Sequence, residues 1–220
     1  MFMYCTNNPV NYHDPNGSCF VKFTSVGLSC LGALVVESFI GAYEKILVAT
    51  YLVSAEQLAE IGFLDTSPES VKELNKTLRE NDITTKDEIA HFLSQCAFES
   101  MFGASLTEAG YLDYETQMAY LQKQSYYPYY GAGYIQLTWD YNYEAFYNAI
   151  GDEKIMSGPD YVAANYAWTV AGWFWTTHGI NDVIASGGTS YDISRIINYY
   201  DANTFATRER YYYMIREVLG

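Results

Sequence analysis

Two glutamates, Glu99 and Glu108, stand just upstream of the run Tyr130-Gly131-Ala132-Gly133-Tyr134-Ile135-Gln136-Leu137-Thr138-Trp139. Breaking a glycosidic bond takes one carboxylic acid to protonate the leaving oxygen and a second carboxylate to activate water or attack carbon, because an oxocarbenium-like centre develops between them. Different surroundings let two acids divide those roles. In an acidic chain such a pair also arises as two ordinary solvated charges, so the weight falls on the residues around it. Gly131 and Gly133 permit a tight turn or the close approach of a ligand to backbone, and Gln136, Thr138 and Asn142 add polar groups beside it.

Helices that must carry the first carboxylate are legible. Thr85 and Glu88 form a capping-box pattern, and Ile89, Phe92, Leu93, Cys96 and Ala97 fall on one apolar stripe. Glu99 therefore emerges at the end of a buried helix, a rigid mount for an acid. Glu108 falls between Gly103 and Gly110 and is expected on a loop, which can close on a substrate and open for release. A helix over about residues 111–124 follows, in which Glu115 reads as a solvated charge.

Upstream, Ser54 with Gln57 repeats the capping box and Gly62 ends a short helix; Ser67-Pro68-Glu69 then starts another, with Val71, Leu74 and Leu78 inward. Downstream, Pro159-Asp160 precede an apolar helix over about 161–175 that reads as central and buried. His178, just beyond it, reads as a residue at the negative helix end rather than a general base. Thr204 is expected to cap the last helix, with Tyr211, Met214, Ile215, Val218 and Leu219 inward and Arg208 and Arg210 as ion-pair candidates.

With 23 Tyr and four Trp, the chain is rich in rings that offer a flat apolar face and, for Tyr, a polar tip. Most single tyrosines pack half-buried. The cluster Tyr126-Tyr127-Pro128-Tyr129-Tyr130 is the candidate for a cleft lip, since proline stiffens it. The formal charge of −14 disfavours nucleic acid and anionic membranes as partners, whereas a neutral glycan is compatible.

Cys5, Cys19 and Cys30 lie in the first thirty residues, where spacing leaves the connectivity open, while Cys96 reads as a buried small hydrophobe. The apolar run Val26 to Val36 is too short to span a bilayer. A packed strand or helix is preferred there over the apolar part of a signal peptide, because Asp14 lies in the stretch ahead. The domain organisation expected is an N-terminal extension over 1–53, of open role, and a catalytic domain over 54–220.

The runs Ile89 to Ser100 and Leu106-Thr107-Glu108, with YYGAGYIQLTWDYNY over residues 129–143, resemble the core signature of glycoside hydrolase family 19, which comprises chitinases and phage or bacterial endolysins. The likeness covers about Ser54 to Leu219. It implies a mainly α, lysozyme-like, two-lobed domain with a substrate cleft, and an inverting hydrolase of β-1,4 linkages in N-acetylglucosamine-containing polymers, chitin or peptidoglycan. Glu99 then matches the general acid and Glu108 the general base, at the separation of roughly 6.5–9.5 Å that leaves room for a water. Gln136, Thr138 and Asn142 match polar positions that line the cleft, and Asn198 and Arg208 the opposite wall; Tyr130, from the tyrosine cluster, is a further substrate-binding candidate. No metal and no organic cofactor is implied; the partner is a polysaccharide, the chain a monomer, and the site of action extracellular or at a cell wall.

Three departures stand out: Phe98 where the family usually has His, Ala132 where Arg is common, and Tyr199-Tyr200 where Gly-Gly follows Ile-Asn. An apolar neighbour raises the pKa of an acid by desolvation. The alternatives are a glycan-binding module without turnover, or a phage-type endolysin that uses residues 1–53 for targeting.

Overall fold

Local capping chemistry begins the first three helices among the described residues. Ser54 and Gln57 exchange side-chain and backbone hydrogen bonds at the start of α1 (Ala55–Ile61). Ser67 accepts from the Ser70 N–H ahead of α2 (Pro68–Glu80), with Pro68 in the first turn. Thr85 and Glu88 close the same reciprocal box on α3 (Lys86–Glu99). Each cap satisfies backbone donors that a helix start leaves open.

The structure is a computed structural model and describes residues 51–220. Cys5, Cys19, Cys30, the 26–36 run and nearly all of the 1–53 extension lie outside the described residues. After α3 comes a turn-rich stretch, then α4 (Tyr114–Leu121), α5 (Asp140–Ile150), a 3₁₀ turn (Glu153–Ser157), α6 (Pro159–Asn165), α7 (Ala167–Thr177), α8 (Ile180–Ala185) and α9 (Ser190–Ile197). A second 3₁₀ turn (Ala202–Thr204) leads into α10 (Phe205–Val218). The fold is mainly α: among the described residues β pairing is confined to isolated bridges, Thr107 with Ala132 and Ala132 with Leu137.

At the centre lies α3, buried along its length from Ile89 to Ala97. Helix α10 packs along it, α9 braces both, and α2 lies against α7. The Phe92 ring meets Trp175 edge-on at 5.3 Å, and Trp168 stacks on Tyr134 at 3.5 Å, which ties the glycine-containing turn to the core. Cys96 is a free, fully buried thiol whose pKa burial pushes up.

Three local expectations are corrected. The helix foreseen over 161–175 is two helices, broken at Tyr166 (φ −140°, ψ 26°), where the Tyr161 and Tyr166 hydroxyls both donate to Asp152, at 2.8 and 2.9 Å. The new N-terminus of α7 takes its cap from another helix. Glu73 on α2 accepts from the Trp168 and Thr169 N–H groups at 3.3 Å and from the Thr169 hydroxyl at 3.2 Å, placing a negative charge at the positive helix end. Burial nevertheless holds the Glu73 carboxyl above its ordinary pKa, those hydrogen bonds opposing it.

The second concerns α4, which starts only after Asp113, because that carboxylate caps the Thr116 N–H at 3.0 Å. The third is Thr204, which precedes α10 without capping it. Its hydroxyl donates to the Asp201 carbonyl at 2.8 Å and accepts from Arg208 Nε at 3.2 Å.

Candidate active site

Glu99 is the last residue of α3, with its side chain 16% exposed, so one edge of the carboxylate reaches solvent while the rest is enclosed. Arg208, from the first turn of α10 and 0% exposed, donates from Nη2 to Glu99 Oε1 at 2.7 Å. Its Nη1 donates to Gln95 Oε1 at 2.9 Å and its Nε to Thr204, so the guanidinium is fixed on three sides. Phe98 supplies the fourth contact, its ring centroid 4.1 Å from the guanidinium carbon. Burial pushes the Glu99 carboxyl above its ordinary pKa; Arg208 pulls it down, and the charge of Asp201 adds to the rise. A carboxyl poised this way suits proton donation.

Behind this pair a polar chain runs through the core. Gln95 Nε2 donates to Ser194 at 3.3 Å, Ser194 donates to the Ser190 carbonyl at 2.6 Å, and Ser190 meets His91 Nδ1 at 3.4 Å. His91 stacks on Tyr212 at 3.9 Å, and the Tyr212 hydroxyl donates to Asp87 at 2.5 Å. Among the described residues no buried side-chain polar atom lacks a partner.

Glu108 has different surroundings. Its segment is a succession of turns, with Met101, Phe102 and Ala109 at positive φ, yet it is tied down rather than free to swing. The Glu108 N–H donates to the Gly131 carbonyl at 2.8 Å, and Gln117 Nε2 donates to the Glu108 carbonyl at 2.8 Å. On the carboxylate, Oε1 accepts from Tyr126 at 2.5 Å and from Tyr120 at 3.0 Å, and Oε2 from the Gly131 N–H at 3.1 Å. The Tyr126 phenol is pushed well above the ordinary tyrosine range by burial and by this bond.

The turn that supplies the Gly131 donor depends on its glycines. A Cβ at Gly131 would lie 2.7 Å from Gln136 Oε1; at Gly133, where φ is +71°, one would lie 2.5 Å from Val170 Cγ1. Between them the Ala132 methyl is fully buried, and its backbone pairs with Leu137 in both directions, at 3.1 and 2.9 Å.

Glu99 and Glu108 line one cleft of about 510 Å³. Gln136, Thr138, Asn142 and Asn198 line it too, along with Ile135, Leu137, Trp139, Phe174 and Ile197. Gln136 donates to the Gly133 carbonyl at 2.9 Å and Thr138 to the Gln136 carbonyl at 2.9 Å. Asn142 donates to the Thr138 carbonyl at 2.8 Å. The wall is thus held by bonds within itself.

Two of the residues singled out from the sequence lie elsewhere. Tyr130 is 7% exposed and outside the cleft lining; burial, with Asp160 beside it, pushes its phenol up to about 12. Arg208 stands behind Glu99 instead of on the wall. Within the tyrosine cluster only Tyr126 lines the cleft, while Tyr129 packs on Tyr143 at 5.2 Å. His178 ends α7, stacked on Phe174 at 3.8 Å. Glu115 is exposed on α4. Among the described residues no group of three or more His, Cys, Asp or Glu gathers to hold a metal.

Sequence reasoning passed over Gln95, Tyr120 and Phe174. Gln95 had a signal: it precedes Glu99 by four residues and so shares its helix face.

A family model described as chitinase class I, for glycoside hydrolase family 19, matches residues 69–187, more than half of the chain. The chain belongs to glycoside hydrolase family 19. It is 33% identical over 132 residues to Endochitinase A2 of Pisum sativum, a match spanning 51% of this chain and 40% of that protein. It is 34% identical over 104 residues to the acidic 26 kDa endochitinase of Solanum lycopersicum, covering 46% of this chain and 39% of the relative. The chain thus spans about two fifths of the length of these curated relatives.

The family 19 fold extends further than those alignments. Chitinase C from Streptomyces griseus superposes with a TM-score of 0.62 at 22% identity, covering 77% of this chain and 93% of that one. A second bacterial family 19 chitinase gives 0.60 at 22%, covering 77% and 96%. Asn198 and Arg208 lie beyond the span of the family 19 model, and only the packing of α9 and α10 brings Asn198 to the cleft wall and Arg208 behind Glu99.

Proposed function

We propose that this family 19 protein is an inverting glycoside hydrolase that cleaves β-1,4 linkages between N-acetylglucosamine units, with chitin as its polymer. The observation that carries the reading is the pair of carboxylates on one cleft, one enclosed beside an arginine and the other held by two phenols and a backbone N–H. In the reaction Glu99 gives its proton to the glycosidic oxygen as the bond to the anomeric carbon breaks. Water attacks that carbon from the opposite face and gives a proton to Glu108, which inverts the configuration. The Trp139 ring at the cleft edge offers a flat face to a sugar ring.

Chitin is favoured over peptidoglycan by the names of the endochitinase relatives and by the net charge of −14, which opposes the anionic polymers of bacterial walls. Such a substrate places the enzyme's work outside the cell or at a wall. The domain reading assigns catalysis to residues 54–220 and leaves the role of 1–53 open.

The test is product analysis on the N-acetylglucosamine hexamer with NMR detection of the first-formed anomer. The reading expects the α-anomer from wild type and no product from Glu99→Gln. Retention of configuration sinks the mechanism, and tight hexamer binding without product from wild type sinks the hydrolase in favour of a binding module.

A further inference from the structure

Helix α9 ends at Ile197 and Asn198, both on the cleft wall. The next two residues are Tyr199, 61% exposed, and Tyr200, 94% exposed. Consecutive Cα atoms are about 3.8 Å apart, so both rings are anchored within roughly 8 Å of the Asn198 backbone. Large rings left in water beside a groove mark a contact surface.

Each ring has a neighbour despite its exposure. Arg195, one turn back on α9, holds its guanidinium carbon 5.5 Å from the Tyr199 ring centroid, and Tyr200 stands edge-on to Tyr199 at 5.4 Å and 87°. Rings that already rest on neighbours have less freedom to lose when a ligand arrives.

We infer that Tyr199 and Tyr200 form a stacking platform for a neutral β-linked hexosamine chain where it leaves the cleft, a binding site beyond the groove that holds the scissile bond. The inference rests on the hydrolase reading above. Sugar rings carry apolar C–H faces that pack on a phenol ring, and the Tyr hydroxyls are polar tips suited to sugar hydroxyls. A neutral polymer meets no repulsion from a strongly acidic chain.

The experiment uses the full-length chain with Glu99→Gln to prevent turnover and measures binding of N-acetylglucosamine dimer and hexamer by calorimetry. Adding Tyr199→Ala and Tyr200→Ala together is expected to weaken hexamer binding about ten-fold and to leave the dimer unchanged; Tyr199→Phe with Tyr200→Phe, which keeps the ring faces, restores most of the loss. Equal hexamer affinity with and without the alanines overturns the platform while the hydrolase reading stands. Failure of Glu99→Gln to bind the hexamer at all, together with a wild type that yields no product, overturns both.

Discussion

Arg208 holds Glu99 at 2.7 Å and is itself pressed against Phe98, 4.1 Å from guanidinium carbon to ring centroid. The ring that precedes the acid in sequence therefore acts on the acid through the arginine. Replacing Phe98 by Leu removes a cation–π contact and packing, with an expected loss of about 1–2 kcal/mol of stability and slower turnover. Urea unfolding and initial rates on the hexamer check this; Phe98→Tyr, which keeps the ring, should stay near wild type.

The enclosed acid sets a pH signature. A general acid must be protonated, so turnover falls as pH rises through the Glu99 pKa, which burial raises and Asp201 raises further. Asp201→Asn removes a negative charge, lowers that pKa and moves the alkaline limb of kcat to lower pH. The same raised pKa makes stability fully present below the ordinary glutamate value of 4.5 and lost as pH climbs through the folded value. Glu99→Gln should flatten that loss while its amide oxygen still accepts from Arg208. A limb unmoved by Asp201→Asn would argue that another group titrates.

Two phenols hold the base. Tyr126→Phe deletes the shorter of their bonds to Glu108, 2.5 Å against 3.0 Å, and is expected to lower kcat/KM about ten-fold, Tyr120→Phe less. Hexamer kinetics on both variants and the double variant give the result, and coupling is expected because both donate to Oε1. Wild-type rates from the double variant would exclude a positioning role.

His91 predicts an acid weakness. Burial, with a smaller contribution from Arg216 and against the pull of Asp87, lowers its pKa from 6.5 to about 4. A lowered histidine is buried neutral, so its contribution is present above pH 6.5 and is lost as pH falls toward 4, by about 3 kcal/mol over the window. His91→Gln should lose less between pH 7 and pH 4.5 than wild type in urea titrations.

The helix starts at Ser54, Ser67 and Thr85 were legible because their caps are local, written within three residues of each other. The position of Glu99 at a helix end and of Glu108 among turns followed from the same grammar. What escaped was long-range. The break at Tyr166 draws on Asp152 and on Glu73, the latter some ninety residues away, and no window along the chain contains both partners. Tyr130 looked like a lip residue by composition, yet its neighbour Tyr126 takes the cleft, because alternate residues of an irregular loop carry no periodicity to tell inside from outside. Arg208 was singled out as an ion-pair candidate, but its partner across the core, and the Gln95 and Thr204 bonds that fix it, are properties of packing.

Because the arginine that steadies Glu99 rides on α10, the acid acquires its partner only when that helix docks along α3. A polypeptide ending before Phe205 would still display both carboxylates, the glycine turn and the match to the family over 69–187. It would leave Glu99 facing an empty socket. Residues outside the signature thus complete the surroundings of the acid, and a truncation that spares the signature can still strip them away.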